Sequence, residues 1–182
     1  MPKFRALSLT LALLLLAASL FGQTTQSKTD DGKHLILVQT DSARYGVGVD
    51  KLDPKQLGVA IYPGAKVDKG DNDEKGANLS LDWGQKSTHL YVQKYLTPDS
   101  PERVLSFYRK QLSQFGTVLE CRGGKAVVNV SSSLKCEGGD DDQNIQLKSG
   151  TENRQHIVGV TPKDKGTGFA ILYLQVSGRG EL

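Results

Sequence analysis

YLTPDSPERVLSFYRKQL, residues 95–112, is the stretch that decides the fold. It opens as the end of a strand and closes as a helix. Ser100 precedes Pro101, and a residue before proline is pushed out of the α region, as an N-cap must be. Proline in the first helical position forfeits no hydrogen bond, and Glu102 puts negative charge where the helix dipole welcomes it. Val104, Leu105, Tyr108, Leu112 and Phe115 then recur at helical spacing, and Gly116 stops the run. The spacing predicts one principal helix over about 100–115. Its apolar stripe is expected to lie on the protein's own sheet, with Tyr108 and Leu112 buried against strands 88–97 and 168–176.

Outward from the helix the pattern changes to period two. Before it, Leu79, Leu81 and Trp83 alternate with Asn78, Ser80 and Asp82, and residues 84–87 turn the chain. The next run sets Leu90, Val92 and Leu96 against His89, Tyr91, Gln93 and Tyr95, which together predict an antiparallel hairpin. The tyrosine side either meets a glycan, peptide or protein partner or covers the second face of the sheet, and covering is the favoured reading. After the helix, 117–122, 126–130, 144–148, 156–161 and 168–176 read as strands, and Leu35–Val38 as a first short one. In 168–176 both alternating sets are apolar, as in a central, well-covered strand. Gly46, Gly48 and Pro54 read as punctuation. The expected class is α+β: one principal helix (about 100–115) on an antiparallel sheet of five to seven strands.

The amino terminus speaks of compartment. Lys3 and Arg5 precede Ala6–Phe21, an uncharged apolar run ending at Gly22. That run matches a signal-peptide core and falls short of the roughly 20 residues that span a bilayer. Cleavage is expected after Gly22, with Ser19 as the alternative. No cysteine lies there, which excludes a lipid anchor at that site. Residues 23–33 are polar and read as a flexible leader, and 34–182 as a single domain. No stable membrane insertion is expected once the signal is cleaved.

The 23 basic and 20 acidic residues are interspersed along the chain. A nucleic-acid binder shows a clustered basic face, so nucleic acid is not an expected partner. Cys121 and Cys136 fall in the exported part, where an oxidising compartment favours a disulfide over two buried thiols.

Candidate sites do not assemble from spacing. Asp71, Asp73, Gly76 and Asp82 fit parts of a calcium-loop frame, but Lys75 stands where a ligand oxygen is required, and the flanks read as strands. Asp140–Asp142 reads as a solvated loop. His34, His89 and His156 are singletons without zinc spacing, and strand-borne His89 and His156 are read as edge or surface residues. No catalytic, cofactor-binding or metal residue is therefore singled out, and no cofactor is implied.

Two motifs carry a resemblance. IYPGA at 61–65, followed by YLTPDSPERVLSFYRKQL at 95–112 and a β-rich tail, resembles an uncharacterised domain of bacterial exported proteins. There a Tyr-Pro-Gly-Ala turn precedes a strand, and an Asp-Ser cap opens a helix carrying Phe-Tyr, here Phe107-Tyr108. The resemblance covers about 60–182 and implies a bacterial envelope, with no functional residue attached. The resulting expectation is a periplasmic or secreted protein that acts as a non-enzymatic binding or structural module. The alternative is an exported hydrolase with a spatially assembled acid–base pair. Expressed in a host with a matched secretion system, the exported protein is expected to begin near Gln23. N-terminal sequencing checks this, and retention of residues 2–15 overturns it.

Overall fold

The structure is a computed structural model that describes residues 24–28, 34–39, 43–49, 53–69, 76–128, 130–137 and 142–178. The leader read at 1–22 lies outside the described residues. The strands are β1 (Thr24–Lys28), β2 (His34–Gln39), β3 (Ala43–Val49), β4 (Lys66–Val67), β5 (Ala77–Trp83), β6 (Lys86–Thr97), β7 (Leu119–Arg122), β8 (Lys125–Ala126), β9 (Ile145–Thr151), β10 (Arg154–Lys163) and β11 (Gly166–Gly178). Helix α1 (Pro101–Leu112) separates β6 from β7 and continues into a 3₁₀ turn at Ser113–Phe115, which ends at Gly116.

The class is α+β, with one α-helix among the described residues on a single antiparallel sheet. The count of five to seven strands is corrected to eleven, in the order β1-β2-β3-β5-β6-β11-β10-β9-β7-β8, with β4 also pairing β6. Two of these, β4 and β8, are two-residue pairs too short to carry an alternating pattern. β3 escaped because Gly46 and Gly48 look like turn residues, although both sit in register with β5. Thr24–Lys28, placed by sequence in a flexible leader, form edge strand β1. Ladder hydrogen bonds come from the main chain and need no apolar side chain.

The β5–β6 hairpin pairs Trp83 with Lys86, so its connection is two residues rather than four. Gly84 has φ 56°, in the left-handed region that such a tight turn demands and glycine supplies.

Register assigns every strand position to one of two sides. On the side of α1, Leu147, Val158, Ile171 and Gln93 form one row, and Ile145, Val160, Phe169 and Tyr95 the next. These positions are buried and, apart from Gln93, make the floor of the main core, with Leu57, Tyr62, Val104, Leu105, Tyr108 and Leu112 above it. Tyr108 and Leu112 are fully buried, as the stripe requires. The helix nevertheless leans chiefly on β10 and β9 and less on β11. Aliphatic side chains on β9 and β10 leave a low floor, whereas the Tyr95 and Phe169 rings stack at 5.3 Å and fill the space above β6 and β11.

The tyrosine side of β6 is thus the core side at its carboxyl end, while Leu90, Val92 and Leu96 face away from the helix. A polar network fixes the layers. Tyr62 N–H donates to the Tyr108 hydroxyl at 3.0 Å, the Tyr62 hydroxyl donates to Asp99 Oδ2 at 2.6 Å, and the Thr167 hydroxyl donates to the Asp99 carbonyl at 2.6 Å. The Tyr-Pro-Gly-Ala turn, the helix entrance and β11 are thereby joined. Ser100 occupies the cap position with extended φ and ψ but makes no side-chain cap bond to the helix. The Glu102 carboxyl is held below its ordinary range by its own backbone N–H and then by the Ser100 hydroxyl.

Cys121 and Cys136 are bridged, with Cα atoms 5.5 Å apart. Closing a 15-residue separation stabilises by about 3 kcal/mol in the chain-entropy account. The bridge holds Leu134 against Leu119 and Cys121 in a second small core, on the side of the sheet away from α1. There Lys148, only 5 % exposed, donates its ammonium to the Lys135 carbonyl at 3.0 Å.

Leu112→Ala is expected to cost about 2–5 kcal/mol in urea unfolding, from lost burial plus a cavity. Lys110→Ala, on the exposed side of α1, should stay within about 0.5 kcal/mol. Equal effects would mean that the stripe does not pack.

Candidate ligand face

Toward the amino-terminal end of β6, the helix side of the sheet changes character. One row runs Ser149, His156, Tyr173, Tyr91 and Asn78 across β9, β10, β11, β6 and β5. The next carries Arg154, Gln175, His89 and Ser80, and a third Ser177, Ser87 and Asp82. Alternation creates this: residues two apart in β6 and β11 share a face, and the face passes from Tyr95 and Phe169 through Tyr91 and Tyr173 to serine. Tyr91 and Tyr173 are half-buried and nearly parallel, with ring centres 6.3 Å apart and 14° between planes. The Tyr173 hydroxyl lies 3.3 Å from Gln175 Oε1, and the Gln175 amide donates to the Ser177 hydroxyl at 3.3 Å.

His156 closes the aromatic row. Its ring stacks on Phe115 at 3.7 Å and tilts against Tyr173 at 4.7 Å. The 3₁₀ turn Pro54–Leu57 covers it through Gly58, whose φ is 70° and whose Cβ, if it had one, would come within 2.5 Å of the ring. A side chain at 58 would strain the backbone and strike the imidazole. The expectation of a surface histidine is therefore corrected, since His156 is 5 % exposed. The signal was present in the alternation His156, Val158, Val160, which places the ring on the core side. Burial lowers its pKa, while a hydrogen bond with the Leu57 main chain pulls the other way. His156 Nδ1 and its cross-strand neighbour Ser149 Oγ are both buried without a hydrogen-bond partner among the described residues.

The remaining sequence candidates disperse. Ser80 faces His89 directly across β5–β6, with Asp82 opposite Ser87 one step on, but no side-chain hydrogen bond joins them among the described residues. Residues 71–75 and 138–141 lie outside the described residues, and with them most of both acidic loops. Among the described residues no three His, Cys, Asp or Glu side chains group to hold a metal ion. Likewise, no helix among them is long and apolar enough to cross a membrane. Compared with known proteins, the chain matches no family model, no curated protein and no solved structure.

Because the folded-state pKa of His156 is depressed, the unfolded chain takes up that proton first as pH falls. Stability should therefore be complete above the unfolded value of about 6.5 and decline as pH drops below it. The urea midpoint is expected to fall between about pH 7 and pH 5, and His156→Gln should flatten that slope. An unchanged slope in the variant would assign the effect to other groups.

Proposed function

We propose that this chain is an exported, non-enzymatic binding module of the bacterial cell envelope, periplasmic or secreted, and that its ligand is a glycan. Export is supported by the apolar run at 6–21 behind Lys3 and Arg5, by the resemblance to exported bacterial domains, and by the bridged pair Cys121–Cys136. The observation that carries binding is the half-buried pair Tyr91 and Tyr173, near-parallel on a sheet face that becomes polar beside them. Sugar rings present an apolar C–H face and a rim of hydroxyls. Tyrosine rings receive the first, and hydroxyl and amide groups receive the second. Gln175, Asn78, Ser80 and His89 supply that polar surround from three adjacent strands.

Calorimetric titration with soluble fragments of bacterial envelope polysaccharide tests this. Tyr173→Ala and Gln175→Ala should each weaken binding by about tenfold, the equivalent of one aromatic contact or one satisfied polar pair. Thermal unfolding monitors the fold in parallel. Wild-type affinity in both variants, or selective uptake of peptides rather than polysaccharide, would overturn the assignment.

A further inference from the structure

The side of the sheet away from α1 lies opposite the proposed glycan face. Over β5, β6 and β11 it presents Leu79, Leu81, Leu90, Val92, Leu172 and Leu174, which the register and alternation place on one side. All are half-buried, and none belongs to either core cluster. At its margins the apolar surface is plainly open: Val47 is 38 % exposed, Trp83 41 % and Leu96 40 %. The disulfide-pinned segment covers the far end of this side, over β7 and β9.

Charge on the β-strands of this side is basic at the described positions. Lys86 stands beside Trp83 at one end, and Lys66, Lys94 and Lys163 stand around Leu96 and Gly168 at the other. Lys86 and Lys94 are eight residues apart on β6, about 26 Å along an extended strand. Among the strand positions whose side chains are described, none on this side is acidic; Asp82 and Glu120 both face the helix side. Asp68, one residue past β4, continues the register opposite Lys94 and is the acidic exception at the edge of this side.

We propose that this side docks on the surface of an anionic lipid bilayer. The aliphatic centre meets the acyl boundary, while Trp83 and the lysines lie at headgroup level, where indole rings and basic side chains are stabilised. A second copy of the chain is the poorer occupant, because two such sides placed face to face oppose four lysines against Asp68 alone among the positions named. Docking of this kind is peripheral and requires no spanning segment.

Trp83 is the only tryptophan in the chain, so its emission reports this surface alone. The full chain is mixed with vesicles of phosphatidylethanolamine containing about one quarter phosphatidylglycerol, or with phosphatidylcholine vesicles. With the anionic vesicles the emission should shift to the blue, and added salt should reverse the shift. Lys94→Glu with Lys163→Glu, both at exposed positions, should weaken partitioning by about tenfold or more. The leader is identical in the variant, so a difference between the two chains belongs to the sheet.

Co-sedimentation without a Trp83 shift would mean that residues 1–22 alone hold the vesicle, and would overturn the proposal. So would a shift that the charge reversal leaves intact. A blue shift that grows with protein concentration in the absence of vesicles would identify a second copy as the occupant instead. Glycan binding tested on the opposite face stands or falls separately.

Discussion

The hydroxyl of Tyr108, buried with its whole side chain under the helix and accepting the backbone N–H of Tyr62, is the interaction on which the arrangement of layers depends. Burial pushes that hydroxyl's pKa well up, and the low polarity responsible for the shift also makes an unmade bond there expensive. The helix therefore cannot slide or rotate on the sheet without stranding a polar atom. The same ring tilts against Phe169 at 5.6 Å, so one residue locates α1 relative to both the Tyr-Pro-Gly-Ala turn and β11. Phe107 completes the seat, edge-on to Tyr62 at 5.2 Å and to Tyr108 at 5.0 Å. Aliphatic packing alone would bury comparable area but tolerate several registers.

A second constraint follows from the size of the helix. Twelve residues span about 18 Å, enough to cover only part of an eleven-stranded sheet. Where α1 and its 3₁₀ extension end, the helix-side face has to be self-sufficient in water, and its residues turn polar. The opposite side over β5, β6 and β11 does the reverse and remains apolar. Polarity inverts across the width of the sheet, and β6 and β11, in the middle, carry apolar groups on both sides. The two proposed surfaces are the two halves of that inversion: a hydrogen-bonding face toward the ligand and a greasy, cationic one toward lipid.

Much of this was legible in the residues. Ser100-Pro101, the stripe and Gly116 located the helix because those rules are local. The β5–β6 hairpin and the final β10–β11 pair followed from alternation, and the cysteine pair from compartment. What resisted was the choice of side. Alternation in β6 separates Leu90, Val92 and Leu96 from Tyr91, Gln93 and Tyr95 without saying which set meets the helix, and leucine is the usual inhabitant of a core. Tyrosine won because the Tyr95 ring stacks on Phe169, which in turn meets the rings of Tyr62 and Tyr108. The central strand β11 was read as well covered, and only its helix side near Phe169 is so. Of the candidate ligand face, Tyr91 was visible as a tyrosine in a strand. Its stacking on Tyr173, eighty-two positions later, depends on a pairing that no local signal encodes.

A sheet this wide, apolar over much of one side, would be expected to polymerise if its rims could recruit further strands. They are poor templates. At one rim β1 is drawn from the sequence TTQSK, which has no apolar residue and ends on a lysine, both features that discourage edge pairing. At the other, β8 offers two residues before the chain leaves the ladder. Growth in the plane is therefore blocked at either margin, and the molecule keeps a broad adhesive side without becoming the seed of a fibre.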